Sequence, residues 1–139
     1  MTATSRPVRQ KPETLRLRRL SVGLTVNDLA RSIRFYTEGL GFMIDQRWEM
    51  DGELRGVSLK AGMCHLNIGQ DDWAKGKDRV KGQGMRISLN TVQDVDQLAA
   101  RAKAQGITID EGPKELPWGP RAFAVTDPDG FKLTIVHQE

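Results

Sequence analysis

The first hydrophobic positions that follow a regular pattern alternate with small or polar ones. The apolar members are Val22, Leu24 and Val26, and Gly23 and Thr25 lie between them. A period of two is typical of a strand with one buried face, so the pattern predicts a strand over residues 20–26. Similar reasoning predicts strands over residues 42–50, 53–60 and 63–69, with a tight turn at Asp51-Gly52.

After the first strand, the spacing of the apolar positions becomes helical. The positions are Leu29, Ile33, Tyr36 and Leu40. Either Asn27 or Asp28 is the expected N-cap, because a short polar side chain accepts hydrogen bonds from the first N–H groups of a helix. Gly39 and Gly41 are expected to end the helix. The predicted order is therefore βαβββ.

The same pattern occurs again 65 residues later. Val22 corresponds to Ile87, Leu24 to Leu89, Gly41 to Gly106 and Asp45 to Asp110. The second copy predicts a strand over residues 85–91, a helix over 93–105, and strands near 107–111, 119–126 and 131–137. Two copies of a long unit predict paired modules around a shared space, because an open solenoid generally needs at least about three repeats.

Charge is distributed unevenly along the chain. Residues 1–19 hold six basic residues and one acidic residue, a net charge of +5, which leaves −2 for the rest of a chain whose total is +3. We expect residues 1–19 to be a flexible basic leader, although a transit peptide or a segment that contacts an anionic partner remains an alternative. Residues 20–137 are expected to form one domain, with modules 20–70 and 84–137 joined by a linker or lid over 71–83.

Other sequence features limit the compartment and the partners. With 139 residues and the single cysteine Cys64, the chain is long enough for its own core and has no intrachain disulfide. No signal-like segment or membrane span is visible, so a cytoplasmic location without membrane contact is expected. Acidic residues interleave with the lysines of the linker, which argues against a nucleic-acid partner.

Several short motifs resemble one known family. They are Leu24-Thr25-Val26-Asn27-Asp28-Leu29, Phe35-Tyr36, Leu40-Gly41-Phe42 and Asp127-Pro128-Asp129-Gly130. Together with the paired βαβββ order they resemble the vicinal oxygen chelate superfamily, also called glyoxalase/bleomycin-resistance/dioxygenase proteins. The resemblance implies an α+β fold in which two βαβββ modules form a half-barrel cavity, and it implies a homodimer. It does not select one activity, because the family includes isomerases, lyases, dioxygenases, thiol transferases and metal-free drug-binding proteins.

The resemblance also implies where the family's metal ligands would lie. These positions are Ser21 and Asn67 in the first module and Arg86 and Thr134 in the second. Strand parity places all four on the cavity side, opposite the apolar residues that flank them. None is a good ligand for a divalent metal, and Arg86 would place a positive charge against the cation. We therefore expect no metal cofactor, and a divalent metal only if the protein is an enzyme with an atypical site.

His65 shares the face of Asn67 and is the candidate catalytic residue. A shift of two residues in the strand would make it a ligand, but a lone histidine is more often a hydrogen-bonded or exposed residue. A neutral His65 would suit proton transfer near neutral pH, or contact with a ligand.

Arg86 and the tryptophans are the remaining candidates for ligand contact. A guanidinium facing a cavity suits a carboxylate or phosphate, with an internal ion pair to Asp45, Glu49, Asp110 or Glu111 as the alternative. Among Trp48, Trp73 and Trp118, the last lies before a hairpin and is expected to stack on a flat ligand. Arg121 would add a second cation unless its parity places it on the helix side.

Three functions follow as hypotheses. The first is a metal-independent small-molecule binding protein whose ligand, anionic or aromatic, contacts Ser21, His65, Asn67, Arg86, Trp118 and Thr134. The second is a glyoxalase-like lyase or isomerase, or an extradiol-type dioxygenase, with an atypical site. The third is a regulatory or interaction module with a vestigial cavity and a basic segment that recruits a partner.

Overall fold

A computed structural model describes residues 14–139, which form two consecutive modules with the same order of elements. The first module contains β1 (Ser21–Val26), α1 (Leu29–Arg34), a π turn (Phe35–Gly39), β2 (Met43–Met50), β3 (Glu53–Ala61) and β4 (Cys64–Gln70). The second contains β5 (Arg86–Thr91), α2 (Val95–Ala104), β6 (Ile109–Glu115), β7 (Arg121–Thr126) and β8 (Lys132–His137). The expected leader lies mostly in residues 1–13, outside the described residues.

Each module folds into a four-stranded mixed sheet. The strand orders are β1-β4-β3-β2 and β5-β8-β7-β6. In both sheets the first strand of the module pairs parallel to the last, and the other neighbours are antiparallel. The predicted α+β class with two βαβββ modules is confirmed.

The first helix begins as predicted but changes its geometry before it ends. Of the two cap candidates, Asp28 is the cap, and its carboxylate accepts a hydrogen bond from the N–H of Arg31 at 3.2 Å. The last turn, Phe35–Gly39, is π-helical. Apolar spacing cannot distinguish a π turn from an α-helix over so short a segment, because both bury about one residue in three or four.

The helix-facing sides of both sheets share one hydrophobic core. Leu24 and Leu66 from the first module lie in it together with Leu133 and Ile135 from the second, all at most 5% exposed. On the opposite side of each sheet their neighbours are exposed or half-buried, apart from the buried Val136. The predicted parity therefore matches the burial, and each sheet presents its other face away from the core.

A buried polar contact joins the modules inside this core. The Tyr36 hydroxyl donates to Asp127 at 2.7 Å, and the same carboxylate accepts the N–H groups of Asp129 and Phe131. Burial raises the pKa of Tyr36 and also raises the pKa of Asp127, against the lowering effect of these hydrogen bonds. For an aspartate whose folded pKa is raised, stability falls as the pH rises from the unfolded value to the folded one.

Charged contacts stabilise the connection between β4 and β5. Asp71 is buried and accepts from Arg79 at 3.1 Å and Lys81 at 2.8 Å, while the Lys81 ammonium lies 5.3 Å from the centre of the Trp73 ring. The hydrogen bond from Lys81 is the main cause that lowers the pKa of Asp71. Farther along, a Cβ at Gly82 would lie 2.2 Å from the carbonyl oxygen of Gly130, so the two backbones touch.

The strand predicted near 107–111 runs to Glu115, because β6 continues through a bulge after Glu111. None of the helices between residues 14 and 139 has the length and apolar character needed to cross a membrane.

Candidate functional site

The core-distant face of the first module brings three of the predicted site residues onto adjacent strands. The register aligns Ser21 with His65 and Gly23 with Asn67 on β1 and β4. Asn67 lines an open cavity of about 410 Å³ together with Trp48 and several backbone-exposing glycines. This volume is within the range of small-molecule sites.

Trp48 packs against the backbone of this face. A Cβ added to Gly56 would be 3.2 Å from Cε3 of the Trp48 ring and 3.1 Å from the carbonyl oxygen of Ile68. Trp48 is 46% exposed, so part of the residue packs on the sheet and part faces solvent. Trp48 is therefore available as an apolar wall of the first cavity.

His65 belongs to a charged group at the other end of the same face. Its Nδ1 is 3.8 Å from Oδ2 of Asp45, and the Lys60 ammonium is 3.9 Å from Oδ1 of that carboxylate. The His65 side chain is mostly buried and does not line the cavity of Asn67. At 3.8 Å the two groups are too far apart for a hydrogen bond, so His65 lies beside Asp45 without being fixed by it.

The corresponding face of the second module brings the other three predicted residues together. Nη1 of Arg86 donates a hydrogen bond to the Thr134 hydroxyl at 2.9 Å. Both residues and Trp118 line a cavity of about 290 Å³, whose other walls include Leu116 and Val136. Trp118 is 73% exposed, so its ring is free to contact a guest.

An ion pair on β6 adds charge beside Arg86. Glu111 and Lys114 both line the second cavity and are hydrogen-bonded to each other. The hydrogen bond from Lys114 is the main cause that lowers the pKa of Glu111, and the charge of Arg86 is a smaller one. Of the four acidic residues named above as possible partners of Arg86, Glu111 lines this cavity. The Arg86 guanidinium nevertheless donates its hydrogen bond to Thr134.

The sequence reasoning missed Lys114 and Leu116 as members of this face. The strand predicted near 107–111 stops short of these residues, whereas β6 continues to Glu115. The available signal was the spacing of Lys114 and Leu116, which lie two positions apart and would therefore share one face of a strand.

Arg121 does not belong to this cavity. Its Nε and Nη2 donate to the Asp96 carboxylate at 2.7 and 2.9 Å, at the start of α2. This bidentate contact raises the pKa of Arg121 and lowers that of Asp96. The helix-side placement, one of the two alternatives from parity, is therefore correct.

Within one chain, the six predicted site residues form two groups of three. Ser21, His65 and Asn67 lie on the first face, and Arg86, Trp118 and Thr134 lie on the second. The two cavities have no lining residue in common. These two cavities therefore do not merge into one space within the chain.

The four family ligand positions do not fit a divalent metal. They supply two hydroxyls, one amide and one guanidinium, whereas divalent transition metals prefer imidazole, carboxylate or thiolate groups. The Arg86 guanidinium remains charged and has no lone pair to donate. In the part of the chain from residue 14 onward, no three His, Cys, Asp or Glu side chains come together as a metal group.

Two βαβββ modules, each with an open concave sheet face, define a paired-module α+β protein. A sequence profile of the Glyoxalase/Bleomycin resistance protein/Dioxygenase superfamily matches residues 18–135. The chain therefore belongs to this superfamily. No curated protein sequence matches the chain.

Solved structures share the fold at low sequence identity. TioX from Micromonospora sp. ML1 has a TM-score of 0.72 and 21% identity, over 87% of this chain and 98% of that chain. TnmS3, an antibiotic binding protein from Streptomyces sp. CB03234, has a TM-score of 0.68 and 23% identity, over 91% and 100%. A superfamily member from Sphaerobacter thermophilus DSM 20745 has a TM-score of 0.68 and 26% identity, over 88% and 98%.

Proposed function

We propose that the protein binds a small anionic molecule with a flat apolar body, and that it does so without a metal ion. The observation that carries the proposal is the second cavity, where Thr134 holds the Arg86 guanidinium beside apolar walls and an exposed Trp118. A guanidinium binds a carboxylate or phosphate through parallel hydrogen bonds, and an indole ring stacks on a planar group. Antibiotic binding by TnmS3 is consistent with small-molecule binding on this fold.

The chemistry of the four family ligand positions supports metal independence. Arg86 occupies one of them and has a hydrogen-bond partner in Thr134, so a cation there would meet a positive charge. Elemental analysis of untagged protein, incubated with iron, nickel, zinc and manganese and then dialysed, tests this point. Stoichiometric retained metal would overturn it.

We further propose a cytoplasmic homodimer in which each binding site combines the first face of one chain with the second face of the other. Both faces are open in one chain, and β2 exposes Met43, Trp48 and Met50 at 64%, 46% and 64%. Covering these side chains would bury apolar surface and enclose the guest. Each completed site would contain Trp48 from one copy and Trp118 from the other.

Arg86→Gln tests the binding proposal. The variant is expected to bind an aromatic carboxylate at least about tenfold more weakly, because a charge-assisted hydrogen bond contributes about 1.5 to 3 kcal/mol. Binding is found by screening aromatic carboxylates with tryptophan fluorescence and is measured by calorimetry. Lys103→Gln is the matched control, since Lys103 is exposed on α2, away from β2, and lines neither cavity. Equal affinity of the Arg86→Gln variant and the native protein would remove Arg86 from the site.

A mixing experiment tests the composite site. Trp48→Ala chains and Arg86→Gln chains are unfolded together and refolded, so that mixed dimers form with one intact combination of faces. Tight binding should reappear in the mixture although each variant alone binds weakly. A monomer in sedimentation, or no recovery on mixing, would contradict the composite site.

A second candidate function is proton transfer by His65, in a glyoxalase-like or dioxygenase-like enzyme. The contact that favours it is the 3.8 Å approach of Asp45 to Nδ1 of His65. Isomerase, lyase and ring-cleavage assays on native protein and His65→Gln protein distinguish the two functions. Turnover that disappears in His65→Gln protein would support catalysis, and no turnover in the native protein would leave binding as the function.

A further inference from the structure

A third cavity, the junction cleft, lies between the modules on the helical side of the fold. It has a volume of about 450 Å³. One wall consists of Arg31 and Arg34 on α1 and the π turn, and the other of residues 105–108, Asp110 on β6 and the end of β7. None of its lining residues lines either concave face. The cleft is therefore separate from the proposed binding site.

Two of the carboxylates in the junction cleft already have partners. Asp127 accepts hydrogen bonds from the Tyr36 hydroxyl and from two backbone N–H groups. Asp110 accepts a hydrogen bond from the Thr126 hydroxyl at 2.6 Å. Both carboxylates thus have hydrogen-bond partners other than the two arginines of the cleft.

The two arginines of the cleft differ from the other arginines near the site. Arg86 and Arg121 are each fixed by a side-chain hydrogen bond, as is Arg101, which donates to the carbonyl oxygens of Thr37 and Glu38. By contrast, neither guanidinium of Arg31 and Arg34 contacts a hydrogen-bond or ion-pair partner within residues 14–139. The carboxylate of Glu38, one turn beyond Arg34, also lines the cleft and is likewise unpaired within that range.

The π turn and the second module form the floor of the cleft. A Cβ at Gly39 would lie 2.2 Å from Cδ1 of Ile107, so the modules are in close contact there. Phe35 and Pro128 add apolar surface to the same cleft. Single π turns occur frequently at functional sites.

We propose that the junction cleft is a second binding site, which takes a small oxyanion, a carboxylate or a phosphate, carried on a compact apolar body. Arg31 and Arg34 are three residues apart on one helix, so their side chains lie on the same face and supply two planar sets of donors. Charge-assisted hydrogen bonds of this kind are the strong ones in proteins. Because both modules line the cleft, a bound oxyanion stabilises their junction.

Titration of the full-length protein with inorganic phosphate and with benzoate tests the site by ¹H–¹⁵N NMR at constant ionic strength. Saturable shifts are expected at the amides of Gly39, Gly106 and Thr108, with a rise in the thermal midpoint at saturation. The anion that saturates the cleft identifies its class as phosphate or carboxylate. Failure of both anions to saturate it would overturn the proposal.

Paired double variants separate specific binding from loss of net charge. Arg31→Gln with Arg34→Gln should weaken binding at least about tenfold, the effect of losing about one charged hydrogen bond. Arg47→Gln with Lys103→Gln removes the same charge from exposed positions outside the cleft and should leave affinity within about twofold. Equal weakening in both pairs, or shifts that map to Arg86 instead, would overturn the proposal.

Discussion

The two concave faces have the same strand pairing but opposite surfaces. On the first face, Gly23 aligns with Asn67 and Gly56 aligns with Gly69. The equivalent positions of the second face are occupied by side chains, since Ser88 aligns with Thr134 and Ala122 with Val136. Glycine has no side chain and leaves the backbone exposed. The first face therefore offers open space, whereas the second offers side chains that can contact a ligand.

Charge differs less between the two cavities. Arg86, Lys114 and Glu111 line the second cavity, and Arg55 lines the first. The first face also contributes the Trp48 ring, which packs against Gly56. After a duplication, the two copies of a module can therefore differ in the open space and the side chains that they offer, without a change of fold.

The largest expected effect on stability is at Gly82, where the connection between the modules touches the backbone of Gly130. Gly82 has a φ of 79°, and a Cβ there would lie 2.2 Å from the carbonyl oxygen of Gly130. Gly82→Ala should lower the free energy of unfolding by more than about 3 kcal/mol, since left-handed strain and a backbone clash add together. Urea unfolding followed by circular dichroism measures the loss.

The control for this variant is Gly84→Ala. Gly84 has a φ of 73° and no atom within 4 Å of its added Cβ, so only the strain of about 1 to 2 kcal/mol applies. Equal losses in the two variants would mean that the close approach to Gly130 does not hold the modules. The faces would then have to be compared as independent units.

A smaller effect is expected from filling the space on the first face. Gly56→Val places atoms against the Trp48 ring and the carbonyl oxygen of Ile68, and overpacking of this kind costs about 1 to 3 kcal/mol. Gly23→Val on the same face meets no atom within 4 Å at its Cβ and should change stability by less than about 0.5 kcal/mol. The free energy of unfolding is measured as above. Equal losses of stability in the Gly56→Val and Gly23→Val proteins would mean that the close packing of Trp48 on Gly56 does not shape this face.

The division between the faces could be predicted only in part. The shift of 65 residues and the period of two placed Ser21 and Arg86 at equivalent positions on exposed sides of their sheets, because parity determines the face of a strand. Alternation also separated the core residues from the site residues. These predictions depend on local pattern, which the sequence contains directly.

Features that depend on irregular backbone could not be predicted. A strand that passes through a bulge at Gly112-Pro113 looks in sequence like a strand that ends, so the pairing of Glu111 with Lys114 was missed. The π turn keeps the spacing of apolar residues expected of an α-helix. The separation of the two faces depends on how the modules pack, and the duplication itself is compatible with pairing within one chain or between two.

The smallest expected effect tests the charge coupling of the second face. The hydrogen bond from Lys114 lowers the pKa of Glu111 from its ordinary value of 4.5, and Arg86 lowers it less. A carboxyl group with a lowered folded pKa contributes stability above pH 4.5, and this contribution is lost as the pH falls through the folded value. Lys114→Met should therefore raise the pKa of Glu111 toward 4.5, and Arg86→Met should raise it by a smaller amount.

Carboxyl NMR titration of Glu111 in native protein and in both variants measures these shifts. A titration of Asp96, whose pKa is lowered mainly by Arg121, serves as the control and should be the same in all three proteins. If Arg86→Met raises the pKa of Glu111 as much as Lys114→Met, then Arg86 is a principal partner of Glu111. Its charge would be partly neutralised within the face, and the second face would be less suited to an anionic guest than the comparison with the first face implies.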